Sequence, residues 1–178
     1  MTASGTRVGP LIVLRGNSGS GKSSVARALR ERYGRKLAWV EQDYLRRVVL
    51  KELDAPGGVN IGLIEQTVRY ALAHGYIVVL EGILDAGRYG EMLERLSGVC
   101  QTHFFHFQLS FEETVRRHAT RPQASEFTPE AMREWYRPAD LLPFVQERIF
   151  DETLSLDDVV EVIVEVSGLG DIAPDESS

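Results

Sequence analysis

At 178 residues the chain is long enough for one sizeable hydrophobic core and short for two independent domains. Its 20 Lys and Arg against 26 Asp and Glu leave a net charge of −6, which weighs against a broad nucleic-acid footprint, since that needs a surplus of cations. The single Cys100 excludes an internal disulfide, no apolar run reaches bilayer-spanning length, and no charged-then-apolar leader opens the chain, so the expectation is a cytoplasmic protein with small polar partners.

Residues 1–9 are small and polar and are expected to be mobile. The first regular element is the apolar run Leu11-Ile12-Val13-Leu14, a buried strand by its composition. Directly after it, Gly16-Asn17-Ser18-Gly19-Ser20-Gly21-Lys22-Ser23 fits G-x-x-x-x-G-K-[ST] at every fixed position, with Ser24 following. The glycines let the backbone turn its N–H groups inward around phosphate oxygens, Lys22 reaches the terminal phosphates, and the Ser23 hydroxyl is placed to ligate Mg²⁺. Val25, Ala28, Leu29 and Tyr33 then recur at helical spacing, and Gly34 stands where a helix stops. Strand, loop and helix in that order are what a phosphate cradle needs, so the chain is expected to bind a nucleoside triphosphate.

Further strands are expected at 36–40, 76–80, 104–109 and 147–150, alternating with helical patterns. Asp54-Ala55-Pro56-Gly57-Gly58 is a loop, Ile61, Ile64, Val68, Ala71 and Leu72 make one helix face that Gly75 ends, and Ser110-x-x-Glu113 is a capping box. Residues 155–166 are rich in valine, which suits a strand, but Ser155-x-x-Asp158 and the length favour a capped helix. Residues 168–178 are rich in Gly, Asp and Ser and are expected to form a mobile tail beyond a single domain at 10–167. The run Ile77-Val78-Val79-Leu80 is apolar on both faces, which calls for a parallel strand covered by helices on each side, hence a doubly wound α/β sheet.

Ligands of open α/β sheets sit beyond the carboxyl ends of the strands, where this sequence has Asp43 and Glu81. Asp43 is the candidate base that orients an acceptor hydroxyl, a role compatible with capping the helix that begins at Tyr44. Glu81, followed by Gly82, either orients a water bound to Mg²⁺ or hydrogen-bonds the acceptor. Arg117 and Arg121, four apart, share one helical face, and Pro122 breaks that helix into a lid spanning about 117–137, with Arg137 a weaker lid candidate. Such guanidiniums neutralise charge on a transferring phosphoryl group, unless they are spent on Glu112, Glu113 or Glu126. His103 and His106 lie three apart on a strand and therefore face opposite ways, which speaks against a shared metal. The guanine-specifying pattern Asn-Lys-x-Asp is absent.

With these residues assembled, the chain resembles the small P-loop kinases of the nucleoside monophosphate kinase-like group across about residues 10–166. Two branches look closest, the small-molecule kinases such as chloramphenicol phosphotransferase and the polynucleotide 5′-hydroxyl kinases. Gln42-Asp43-Tyr44-Leu45-Arg46 resembles the acceptor segment of the latter, and Phe111 to Arg117 followed by Arg121 resembles their lid helix. The resemblance implies a three-layer P-loop NTPase fold with five parallel strands in the order 2-3-1-4-5. It also implies ATP as the phosphoryl donor, Asp43 as the residue that activates a hydroxyl, and Arg121 on the nucleotide phosphates. The acidic balance ranks a small hydroxyl-bearing substrate ahead of nucleic acid, with a non-catalytic ATP-dependent switch as a third reading. The choice of acceptor resides in the pocket formed by segments 44–64 and 82–90.

Overall fold

The computed structural model describes residues 9–120 and 128–173. Five strands, β1 (Leu11–Gly16), β2 (Leu37–Glu41), β3 (Ile77–Gly82), β4 (Thr102–Phe107) and β5 (Arg148–Phe150), form one sheet in the order β2-β3-β1-β4-β5. Every neighbouring pair is parallel. The helices are α1 (Lys22–Tyr33), α2 (Val59–Ala73), α3 (Ala86–Ser97), α4 (Phe111–Ala119), α5 (Pro129–Trp135) and α6 (Leu156–Val166).

Strand alternation divides the core in two. Ile12, Leu14, Val79, Phe105 and Phe107 face α1 and α6, while Leu11, Val13, Val78, Leu80 and Phe104 face α2 and α3. β1 and β3 are buried along their whole length, as the sequence-based reading of Ile77 to Leu80 required. Among the described residues no helix is long and apolar enough to cross a membrane.

The element limits shift where pairing and polar contacts dictate. β2 and β3 run to Glu41 and Gly82, beyond the expected 40 and 80, because their parallel register continues through the Glu41–Glu81 pair. β5 starts at Arg148 rather than 147, since the Glu147 side chain turns inward to an arginine described below. The valine-rich segment before Val166 is helical. Ser155 and Asp158 cap each other reciprocally, and Val159, Val160, Ile163 and Val164 form the buried stripe. At α4 only half of the expected capping box forms: Ser110 Oγ accepts from the Glu113 N–H, but the Glu113 carboxylate goes to arginines instead. Leu169, two residues past the expected domain end at 167, is fully buried, and Tyr33 Oη donates to its carbonyl.

Candidate active site

The loop between β1 and α1 is held by close backbone packing. A Cβ on Gly16, whose φ is 144°, would stand 2.6 Å from the Phe107 carbonyl oxygen, and one on Gly19, at φ 81°, would stand 2.5 Å from the Thr114 carbonyl oxygen. Only glycine fits both the conformation and the space. Gly21, left-handed at φ 103°, precedes α1 without a side-chain cap, and the first turn of α1 has no acidic residue. By contrast, Asp85, Ser110, Thr128 and Ser155 cap α3, α4, α5 and α6, and Glu52 accepts from the first N–H groups of α2. The start of α1 shows no such cap, the arrangement that suits an anion at the positive end of a helix dipole.

The polar side chains of the loop converge on that opening. Lys22 is buried and its Nζ donates to the Asn17 carbonyl at 2.8 Å and to Ser20 Oγ at 3.1 Å, so it arches over the loop. Ser23 Oγ donates to Glu81 Oε1 at 2.8 Å. Arg117 reaches across from α4, with Nη1 donating to the Ser20 carbonyl at 3.3 Å and Nε to Glu113 Oε1 at 2.6 Å. Arg116 first and Arg117 second hold the Glu113 carboxyl down at about 2. Arg117 thus makes one of the ion pairs the sequence offered, with Glu113, and also touches the backbone of the loop at Ser20. Arg121 lies outside the described residues. Asn17 brackets the backbone of Arg137, donating to its carbonyl at 2.7 Å and accepting from its N–H at 2.8 Å. Ser18 and Ser24 complete the loop and the first helical turn.

Asp43 stands beyond the end of β2, immediately before a short π-helical turn, Tyr44–Val49. It does not cap that turn; instead Arg46 Nη2 lies 2.8 Å from Oδ1 and Arg47 Nη1 3.7 Å from Oδ2, with the carboxylate 59% exposed. Glu41, beside Glu81 in register, adds another carboxylate, and burial first, then the charges of Glu81 and Asp43, push its carboxyl up. Among the described residues no group of three or more His, Cys, Asp or Glu is arranged to hold a metal by itself. A hydroxyl and a carboxylate already in contact, Ser23 and Glu81, fit a Mg²⁺ ion that draws its other ligands from phosphate and water.

Two further groups of side chains escaped the sequence reading. Arg15, fully buried at the end of β1, donates from Nη1 to both Glu147 oxygens and to the Asp140 carbonyl, from Nη2 to Asp140 Oδ2, and from Nε and Nη2 to the Leu84 carbonyl. Asp140 in turn accepts from the Ala86 N–H, so one guanidinium ties the phosphate-loop strand to the β3–α3 connection and to the segment before β5. Leu84, whose carbonyl serves this arginine, sits at φ 46°, a left-handed conformation that costs a non-glycine residue roughly 1–2 kcal/mol. The signal was present: an arginine closing an apolar run needs buried partners. The second group joins Gln42, Tyr89, Asp54 and Asn60. Tyr89 Oη accepts from Gln42 Nε2 at 2.8 Å and approaches Asp54 Oδ1 at 2.8 Å and Asn60 Oδ1 at 3.0 Å. Gln42 Oε1 accepts from the Ile83 N–H, which fixes the residue next to Asp43 against the end of β3.

No family model matches the sequence, and no curated protein matches it. Solved structures do match. The APS kinase of Mycobacterium tuberculosis, solved with AMPPNP and APS, superposes with a TM-score of 0.64 at 16% identity over 89% of this chain and 96% of that one. A gluconokinase from Sinorhizobium meliloti gives 0.63 at 20% identity over 92% and 94%, and the tunicamycin resistance protein of Deinococcus radiodurans 0.62 at 20% over 90% and 96%. This is the P-loop NTPase fold. At such identities the likeness is one of architecture, and the site must speak for the chemistry.

Proposed function

We propose that the protein is a kinase that transfers the γ-phosphoryl group of ATP to a hydroxyl of a small molecule. The observation that carries this reading is the uncapped start of α1, with Lys22, Ser23 and Arg117 converging on it and Glu81 in contact with Ser23. The solved neighbours named as APS kinase and gluconokinase support it by shared fold.

In this reading the loop from Gly16 to Ser23 cradles the nucleotide phosphates, and Lys22 leaves its resting contacts with Asn17 and Ser20 for the terminal phosphates. Ser23, supported by Glu81, holds Mg²⁺, which supplies charge neutralisation on the phosphate oxygens. Asp43 orients the acceptor hydroxyl and takes its proton as the acceptor oxygen bonds to the γ-phosphorus and the bond to the bridging oxygen breaks, releasing ADP. The Arg46 and Arg47 guanidiniums hold the Asp43 carboxylate in place until the hydroxyl arrives. Arg117, with Arg121 from the lid, stabilises charge on the group in flight. Catalysis is positioning plus electrostatics.

The test is transfer of labelled γ-phosphate from ATP into hydroxylated metabolites, nucleosides, antibiotics and 5′-hydroxyl oligonucleotides. Lys22→Ala is expected to impair turnover and nucleotide binding. Asp43→Asn should leave ATP affinity nearly intact while cutting transfer by orders of magnitude. Equal loss of ATP binding in Asp43→Asn would remove that residue from the role of base, and label appearing in oligonucleotides alone would replace the small-molecule acceptor with nucleic acid.

A further inference from the structure

Lys22 Nζ, the group that meets the terminal phosphates of a nucleotide, rests on two loop residues, the Asn17 carbonyl at 2.8 Å and Ser20 Oγ at 3.1 Å. Each of these residues also engages an arginine from elsewhere in the chain. Arg117 donates to the Ser20 carbonyl. Asn17 holds Arg137 by its backbone, with Nδ2 donating to the Arg137 carbonyl at 2.7 Å and Oδ1 accepting from the Arg137 N–H at 2.8 Å. One amide side chain thus satisfies both main-chain polar groups of Arg137, and Asn17 is itself only 6% exposed.

The chain on either side of Arg137 is fastened to the same edge of the sheet. Tyr136 Oη donates to the Leu109 carbonyl at 2.7 Å, just past β4, and its ring meets Phe111 edge to face. Three residues beyond Arg137, Arg15 holds Asp140 by both its carboxylate and its carbonyl. The guanidinium of Arg137 is held far less firmly than its backbone. The side chain is 55% exposed and Nε lies 3.9 Å from Asp85 Oδ2, a geometry in which an ion pair contributes little. Asp85 belongs to the β3–α3 connection, within the segment 82–90 expected to border the acceptor, so this contact draws the guanidinium toward the acceptor side of the loop.

Resting on the reading of the loop as a nucleoside triphosphate site, we infer that Arg137 contacts the γ-phosphate and that the Asn17 side chain is the positioning residue that presents it. Arg137 exchanges its long contact with Asp85 for the phosphate, while Asp85 keeps the Arg88 N–H at 3.1 Å. The terminal phosphate then meets one guanidinium from α4 and one from the segment before β5. ADP, which ends at the β-phosphate, leaves Arg137 without an anion to meet.

The test is titration calorimetry of AMPPNP and of ADP, each with Mg²⁺, against wild type, Arg137→Met, Asn17→Ala and the double variant. Arg137→Met, at an exposed position, is expected to weaken AMPPNP about tenfold, the loss of one charge-assisted hydrogen bond, with ADP affinity unchanged. Asn17→Ala should weaken AMPPNP by less and again spare ADP. In the double variant the ratio of the two affinities should equal that of Arg137→Met alone, because Asn17 acts through Arg137. Equal loss of both nucleotides in Arg137→Met, or no loss of either, overturns the γ-phosphate contact. A ratio in the double variant that sums the two single effects, or an Asn17→Ala protein that loses both nucleotides alike, overturns the positioning role of Asn17. A wild-type chain that binds neither nucleotide overturns the phosphate-loop reading itself, and the inference with it.

Discussion

Arg15 Nη1 lies 2.8 Å from each carboxylate oxygen of Glu147, and both side chains are sealed from solvent. A buried charge that loses its partner is costly, on the order of 3–5 kcal/mol. Glu147→Gln is therefore expected to lower the unfolding free energy by about that amount in urea titrations. Arg15→Met combined with Glu147→Leu should recover part of the loss, because the apolar pair leaves no orphaned charge between them. A Glu147→Gln protein as stable as wild type would mean that Asp140 alone satisfies the guanidinium.

The contact between Ser23 and Glu81 bears on metal dependence. Ser23→Ala should raise the Mg²⁺ concentration needed for half-maximal turnover by about 10–100-fold, the range typical when a metal site loses a supporting group. Glu81→Gln should move the same curve in the same direction by less if it acts through water. An unchanged magnesium curve in Ser23→Ala would take that hydroxyl out of the metal site.

Tyr89 is the hub that fastens Gln42, and through it the chain beside Asp43, to the loop at Asp54. Burial first and the neighbouring Asp54 second push its phenol well above the ordinary tyrosine range, so the hydroxyl stays a neutral donor. Tyr89→Phe leaves Gln42 and Asn60 short of a partner and is expected to cost about 1–3 kcal/mol. Because the acceptor segment is what loosens, the acceptor KM should rise while ATP affinity holds. Equal weakening of both by isothermal titration and kinetics would show a general loss of packing instead.

His106 lies opposite Arg15 in the β1–β4 register, is 2% exposed, and has no hydrogen-bond partner at either ring nitrogen among the described residues. Arg15, Lys22, Asp140 and Glu147 surround it electrostatically, but burial dominates and pushes its pKa below the ordinary 6.5. Only the unfolded chain then takes up a proton as pH falls past 6.5, so stability is full above that pH and declines below it toward the lowered folded value. His106→Leu should remove this contribution. The two melting-temperature profiles are expected to diverge below pH 6.5, with wild type falling faster; parallel profiles would exclude the imidazole as the cause.

Much of the architecture was legible because its signals are local. The phosphate-loop spacing, the apolar strand runs and the serine cap at 155 each depend on residues within a few positions of one another, and the strand at 77–80 announced helices on both sides by being apolar throughout. The convergence of Lys22, Ser23 and Glu81 also followed, since parallel strands bring their carboxyl ends to one edge. The Asp43 contacts were less legible. A carboxylate before a helical turn reads as a cap, yet the turn widened to five-residue hydrogen bonding and the carboxylate went to Arg46 and Arg47.

The sequence alone therefore determined the strand, glycine loop and helix at 11–33, the fold class and the order of the elements, because each is written in local spacing and in the period of apolar residues. Only the tertiary structure decided which charges meet. Arg15 finds Glu147 132 positions away, and Gln42 finds Tyr89 47 positions away. Such pairings depend on the register between strands and on which loops fold over the sheet edge, and no short-range pattern encodes them. The segment after β2 is tied to α3 by contacts of this kind, in which the cost of burying a polar group selects its partner wherever along the chain that partner lies.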